Sequence, residues 1–246
     1  ISFGKSIGFV AGGLGDQIYH LTQLRALAAA SLDNKIDIAC IHPGPISTLL
    51  AHSPWAGTII DAKPLRRYIP FIRGNRKIKQ IKQRCYDSAF ILHRSTSFKL
   101  AAFAAGIDRR VGLLGQKADQ FLLTDSLPAD GGGDRRALWG HRPFIAAADA
   151  WIRTQGLSLD DSCPTILPAP DMVKQVTDFL LPLPRPITIV NLFALDPARR
   201  WSINHANVTL KQLLRQIGGS LVLNAGPDAG SYHDAMLAIW DGPDHL

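Results

Sequence analysis

Short apolar runs alternate with segments of helical periodicity along most of the chain, and this alternation limits the fold more than any other feature of the sequence. The runs "SIGFV" (6–10), "KIDIACI" (35–41), "GTIIDA" (57–62), "DSAFILH" (87–93) and "RRVGL" (109–113) have the length and apolar content of buried strands. Between them, helical spacing of apolar positions is found from Ile18 to Ala30, from Ile46 to Ala51 after Pro45, within the basic stretch 63–84, and from Ser95 to Ala105, where Gly106 supplies a stop. Strands alternating with helices predict an α/β fold with a parallel sheet covered on both faces. At 246 residues, 46% of them hydrophobic, the chain can bury a substantial core.

Further on, "DSLPADGGGDRRALWG" (125–140) reads as an exposed loop, followed by a helix over 142–155. Proline then becomes dense, in "CPTILPAPD" and "LLPLPRP". This predicts a Rossmann-like domain over 1–170, a Pro-rich linker over 171–186 and a second domain over 187–246. The second domain restarts the pattern with a strand in "ITIVNLF", a helix over 203–217, a strand in "SLVLNAG" and a helix from about Ser231. Two β/α units fall short of the usual five or six strands, so this domain is expected to be incomplete. The chain also starts without Met, as a fragment would.

The stretch "FVAGGLGDQIYH" (9–20) places three glycines and an aspartate between the first strand and the first helix. Backbone amides and a positive helix end at the carboxyl edge of a sheet suit an anionic or polar ligand. Two common nucleotide sites do not fit. After Gly13-Leu14-Gly15 a dinucleotide fold needs a small residue where Ile18 stands, and the second strand ends in Ile41-His42, not in Asp or Glu. A P-loop needs Gly-Lys-Ser/Thr, which is missing here. Asp16 has two readings: an N-cap, or a base facing a neutral hydroxyl, because a carboxylate at this turn repels phosphate.

The formal charge of +7 has one source. Nine of the 27 Lys and Arg residues, and none of the 20 Asp and Glu, lie within 63–84: Lys63, Arg66, Arg67, Arg73, Arg76, Lys77, Lys79, Lys82 and Arg84. Such a segment suits an anionic partner or membrane surface, or plain solvation. No aromatic residue interleaves with the cations between Gly74 and Cys85, so nucleic acid is not expected. Cys40, Cys85 and Cys163 are odd in number and widely spaced, which argues against a disulfide framework and a zinc site and for a reducing, cytoplasmic setting. No apolar run reaches the roughly 20 residues of a membrane span, and no signal peptide is expected at the start.

"GGLGDQIYHLTQLRALAAASLDNKIDIAC" resembles the opening of family 9 glycosyltransferases, the ADP-heptose:lipopolysaccharide heptosyltransferases, through Leu14-Gly15-Asp16 and Leu24-Arg25-Ala26-Leu27. "YDSAFILHRSTSFKLAAFAAGIDRRVGL" (86–113), "ITIVNLFALDPARRWSINHANVTLKQLL" and "LVLNAGPD" are similar to later segments of that family, in the same order. The resemblance implies a GT-B fold of two Rossmann-like domains with parallel sheets and an inverting transfer of heptose, or a related sugar, from ADP-heptose to a lipopolysaccharide core or similar glycan. It implies no metal or other cofactor. By the same resemblance Asp16 would be the general base, and Arg199 or Arg200 would bind the donor diphosphate. Asn224, Gly226 and Pro227 would lie near the nucleotide, while Gly13, Gly15, His93, Arg94, Arg66, Arg67, Arg73, Arg76 and Lys77 would bind the acceptor, an anionic glycolipid.

That scheme implies a cytoplasmic enzyme, peripheral at the inner face of the cytoplasmic membrane and attached through 63–84. Two departures stand against it. Phe193-Ala194 replaces a more usual Pro-Gly, and the chain stops before an Asp-Ser-Gly-x-x-His type loop, so a poor enzyme is expected. Plainer readings remain for other residues: Trp201 as a core anchor with solvated arginines beside it, and His93 as a hydrogen-bonded structural residue. The alternative functions are a non-catalytic carbohydrate- or lipid-binding relative and a nucleotide-dependent oxidoreductase.

Overall fold

The computed structural model describes residues 2–70, 72–114, 117–127, 141–159, 166–194, 196–224, 226 and 229–240. They belong to two compact units, Ile1–Pro168 and Ala169–Leu246. In the first, strand β1 (Ser6–Val10) is paired on one side with β2 (Ile36–Cys40) and on the other with β4 (Ser88–Ile91). Beyond β2 lies β3 (Ala56–Asp61), and beyond β4 lie β5 (Arg109–Leu113) and β6 (Asp125–Leu127), every pair being parallel.

Side-chain alternation along the strands builds a core on each face. Ile7, Phe9, Ala39, Ala89 and Ile91 join one cluster with Ile78 and Ile81 of α4 (Asn75–Lys82) and Phe98 and Ala101 of α5 (Thr96–Ala104). Val10, Ile36, Ile38, Cys40 and Phe90 join the other, with Leu24 and Leu27 of α2 (Leu21–Ala29) and Trp151 of α6 (His141–Thr154). Gly8 is what lets α2 sit close, since a Cβ there would lie 2.3 Å from Leu24 Cδ2.

Four expectations are corrected. The stretch 125–140 begins with β6, whose three residues are too short to announce themselves but complete the ladder on β5; 128–140 lie outside the described residues. The helical pattern over 18–30 is two helices, α1 (Leu14–Tyr19) and α2, divided at His20. Among the described residues of the basic stretch only Asn75–Lys82 is α-helical, preceded by a 3-10 turn at Lys63–Leu65 and a bridge between Ile69 and Arg73. The short helix after β2, α3 (Pro43–Leu49), starts at Pro43.

The second unit contains the whole of what reads as a linker over 171–186, and most of that segment forms α7 (Pro170–Leu180). Pro170 occupies its first turn, where a missing N–H costs nothing, and Pro182, Pro184 and Pro186 all follow its end. β7 (Ile187–Val190) and β8 (Ser220–Leu223) pair in parallel, joined by α8 (Ile203–Ile217). Ser202 caps α8 by accepting the His205 N–H at 3.3 Å, and Ala206, Leu210 and Leu221 pack with Met236 of α9 (Gly230–Ala238).

Candidate active site

In the first unit the chain runs from β1 outward through β2 and β3, then returns to the other side of β1 for β4, β5 and β6. The carboxyl ends of β1 and β4 therefore flank a topological switch point, where open α/β sheets place their ligands. The glycine turn leaves from β1 and residues 92–95 from β4.

Gly12 takes φ +94°, and a Cβ at that position would lie 2.4 Å from Asp16 Oδ2. Gly13 is the N-cap of α1 and Asp16 its third residue, so the N-cap reading of Asp16 is corrected: its half-buried carboxylate reaches back and accepts the Gly13 N–H at 2.7 Å. The buried Gln17 fastens the turn from inside, donating from Nε2 to the carbonyls of Gly12 and Gly13, each at 3.3 Å. Nothing lies within 4 Å of a Cβ built on Gly15.

Two histidines stand in the field of Asp16. His20, at the junction of α1 and α2, is 8% exposed and its Nδ1 has no hydrogen-bond partner among the described residues. Burial, helped by neighbouring His93, lowers its pKa to about 4, although Asp16 and Gln23 pull the other way. His93 follows β4 and accepts the Ser95 N–H on Nδ1 at 3.1 Å, so its neutral ring carries the proton on Nε2. Burial lowers its pKa too, with Lys99, Arg94 and Arg66 acting in the same sense and Asp16 opposing. Both rings are neutral at pH 7.

Beyond the end of β3 an open cavity of about 510 Å³ is lined by Lys63, Pro64, Arg66, Arg67 and Arg73. Arg76 and Lys77 lie outside this lining, in the first turn of α4, where the helix dipole disfavours cations and an anion would relieve them. Arg84 belongs elsewhere: its Nη1 donates to Asp37 Oδ2 and Thr58 Oγ1, both at 3.0 Å, near the amino ends of β2 and β3. The basic segment therefore divides into a cavity, a helix with one buried stripe and a cationic outer face, and a structural tie.

In the second unit Arg199 ends a 3-10 turn (Pro197–Arg199) capped by Asp196 and is exposed. Arg200 Nε donates to the Ala194 carbonyl at 2.5 Å, and its guanidinium sits 4.4 Å from the Phe193 ring centre. Trp201 is 46% exposed, so it is not a core anchor; its ring meets His205 edge-on at 5.1 Å and its carbonyl accepts the Tyr232 hydroxyl at 3.0 Å. Asn224 lines a small apolar recess with Phe193, Leu223 and Tyr232. Gly226 follows β8, and Pro227 lies outside the described residues, as does Cys163.

The sequence reading missed His20 and a second group entirely. Lys99 and Asp119, both fully buried, form an ion pair at 2.6 Å. Lys99 Nζ also donates to the Arg94 carbonyl at 3.1 Å, and Thr96 Oγ1 to Asp119 Oδ1 at 2.9 Å. One signal was available, a lysine on the apolar stripe of "TSFKLAAFA". Among the described residues no group of three or more His, Cys, Asp and Glu is placed to hold a metal ion, and no helix is long and apolar enough to cross a membrane.

No family model and no curated protein matches the sequence. Solved structures do match the fold. A glycosyl transferase family 9 structure from Veillonella parvula aligns with 98% of this chain and 68% of its own at a TM-score of 0.69 and 15% identity. ADP-heptose lps heptosyltransferase II of E. coli aligns over 96% and 69% at 0.65 and 23%, and E. coli heptosyltransferase WaaC with ADP-2-deoxy-2-fluoro heptose over 96% and 74% at 0.58 and 12%. At these identities the likeness is one of fold: the chain has an α/β fold of the GT-B type.

Proposed function

We propose that the chain transfers a sugar from a nucleotide-sugar to a hydroxyl of an anionic glycan, with Asp16 as general base and inversion at the anomeric carbon. The observation that carries this reading is the carboxylate held at the switch point by the Gly13 amide. That amide is the donor a dinucleotide phosphate would need, and Asp16 both occupies it and adds a negative charge, so the group facing the turn is neutral. A sugar hydroxyl fits. Its proton goes to Asp16 while its oxygen attacks the anomeric carbon, and the bond from that carbon to the diphosphate oxygen breaks on the opposite side.

Charge then develops on the leaving diphosphate, which Arg199 meets. Arg200 is the weaker choice, because its Nε serves Ala194 and its guanidinium lies over the Phe193 ring. Arginine carries this charge in the scheme, so no metal ion or other cofactor is written into it. The cavity of Lys63, Arg66, Arg67 and Arg73 takes the phosphate or acidic-sugar groups of the acceptor and the anionic headgroups around it, with Arg76 and Lys77 beyond it against further headgroups. ADP-heptose as donor and a lipopolysaccharide core as acceptor are the first pair to try, in keeping with the fold likeness, and the setting is the inner face of the cytoplasmic membrane.

Asn224 and Gly226, after β8, stand on the nucleotide side of the scheme. The deciding experiment incubates the protein with ADP-heptose and heptose-deficient lipopolysaccharide and follows ADP release and acceptor mass. Transfer that disappears in Asp16→Asn supports the reading. Transfer unaffected by that change removes Asp16 from the chemistry, and binding of acceptor without turnover leaves a non-catalytic glycan-binding protein.

A further inference from the structure

Lys99 and Asp119 tie together two loops at the carboxyl edge of the first sheet. Lys99 lies in α5, which starts directly after the loop at 92–95, and Asp119 lies in the 3-10 turn Lys117–Phe121 that follows β5. The ammonium holds the Arg94 carbonyl and the Asp119 carboxylate together, and Thr96 occupies the other carboxylate oxygen. Neither side chain touches solvent. A buried ion pair is a poor device for stability alone, since its desolvation cost rivals its attraction and an apolar pair of similar volume often serves as well or better. What it offers here is geometry, because the three acceptors around Lys99 and Thr96 fix the backbone at Arg94 to within a hydrogen bond's tolerance.

We propose that Lys99 and Asp119 are positioning residues for the acceptor side of the site: their buried pair locks the 92–95 loop to the 117–121 turn and thereby fixes the place and tautomer of His93 at the carboxyl end of β4, across the switch point from the turn that carries Asp16. The proposal rests on the transferase reading for its purpose but not for its geometry. With Nδ1 taken by the Ser95 N–H, a held His93 offers one donor, Nε2–H, in a neutral ring. The Lys99 charge supports that state, as do Arg94, Arg66 and burial, while Asp16 favours the protonated ring; His20, the remaining neighbour, is itself neutral. A neutral donor at the same sheet edge as the proposed base can orient an acceptor hydroxyl without competing for its proton.

The test is imidazole long-range 1H–15N correlation spectroscopy of the 15N-labelled protein, with His93 assigned through His93→Gln. In the unaltered protein the expected result is a single Nε2–H tautomer at pH 7 with a midpoint below the ordinary 6.5; a mixed or Nδ1–H tautomer there overturns the proposal before any variant is made. Single removal of Lys99 or Asp119 strands a buried charge, so the informative variant is Thr96→Val with Lys99→Met and Asp119→Leu, which leaves neither side-chain charge behind and frees the Arg94 carbonyl from its tie. When it folds, the His93 midpoint should move up by about one unit and its tautomers mix, while kcat/KM for the acceptor should fall about tenfold or more. A folded variant with His93 unchanged overturns the proposal. Should the unaltered protein transfer no sugar while His93 still responds as expected, the positioning role holds and the substrate reading alone falls.

Discussion

The Asp16 carboxylate accepts the Gly13 N–H at 2.7 Å, and Gly12, immediately before it, has no room for a side chain because a Cβ would sit 2.4 Å from the same Oδ2. The glycine and the acid thus form one unit: the backbone at Gly12, at φ +94°, is shaped so that the carboxylate can fold back onto the turn. One carboxylate oxygen is committed to the amide. In the proposed scheme the helix terminus thereby holds the base in place without burying it.

Replacing Gly12 by Ala should therefore disable the site as well as strain it. The positive φ and the displaced carboxylate together should cost about 1–3 kcal/mol of stability, and transfer should fall with the loss of Asp16 geometry. Gly15→Ala is the matched control, since nothing lies within 4 Å of its Cβ, and it should keep the wild-type melting temperature within a few degrees. Asp16→Asn should lower kcat by about 10²–10⁴ with little change in Tm, because the amide oxygen still accepts the Gly13 N–H. Thermal melts beside ADP-release rates on the three variants check this; equal loss of activity in Gly12→Ala and Gly15→Ala counts against the geometry.

Acid should weaken the fold through His20. Its pKa falls from 6.5 unfolded to about 4 folded, so between those values the unfolded chain binds more protons and stability rises with pH. The contribution is fully present above about pH 6.5 and is lost as pH falls toward 4, a difference of about 3 kcal/mol. The lowered pKa of His93 acts in the same direction. Urea unfolding of wild type and His20→Gln across this range gives the comparison: the variant should lose less stability on acidification, and parallel curves would remove His20 as the cause.

The strands of the first sheet were legible because parallel strands buried on both faces leave continuous apolar runs, as in "SIGFV" and "SAFIL", and the turn after β1 was legible because only glycine tolerates φ +94°. β6 was not, since Asp125–Leu127 has no apolar run and exists only through its ladder to β5. Asp16 was visible as an acid at a helix start, whereas His20 was not, because its burial comes from the break between α1 and α2 and from the loop after β4. The Lys99–Asp119 pair joins residues that no local pattern connects. The same holds for the basic segment: its charge is written in the sequence, but the split between the cavity residues and Arg84 depends on which end of α4 faces which edge of the sheet.

That split predicts opposite phenotypes for neighbouring cations. Removing Arg66, Arg67 or Arg73 should leave stability nearly unchanged and weaken binding to phosphatidylglycerol-rich vesicles by about 1 kcal/mol each, about fivefold, with the loss shrinking in high salt. Arg84→Ala should do the reverse. It strips Asp37 and Thr58 of a partner and should cost about 1–2 kcal/mol of stability, with vesicle affinity retained. Sedimentation of vesicles with each variant, beside urea unfolding, distinguishes the two groups; equal loss of vesicle binding in Arg84→Ala would mean that charge number, not the cavity, matters.

Arg199 and Arg200 are adjacent in sequence but differ in what they already hold. Arg200 is built into the second unit, with Nε on the Ala194 carbonyl and its guanidinium carbon 4.4 Å from the Phe193 ring centre, and its charge reaches the Tyr232 hydroxyl, which burial otherwise pushes toward a higher pKa. Arg199 is exposed at the end of the Asp196-capped turn, and in the proposed scheme it is the partner of a diphosphate that arrives with each donor and leaves with each product. Arg199→Ala should thus lower kcat/KM for the donor by about 10–100-fold, or about 1.4–2.8 kcal/mol of transition-state stabilisation, and leave Tm in place. Arg200→Ala should lower the Tm of the second unit, and it should reduce turnover only as far as folding is lost. Lysine at position 199 should restore part of the rate by charge alone, without the two-pronged hydrogen bonding of a guanidinium. Steady-state kinetics with ADP-heptose and calorimetric melts on Arg199→Ala, Arg199→Lys and Arg200→Ala decide it: if Arg200→Ala abolishes turnover in a protein that melts normally, the diphosphate belongs to Arg200 and the order of the two arginines is reversed.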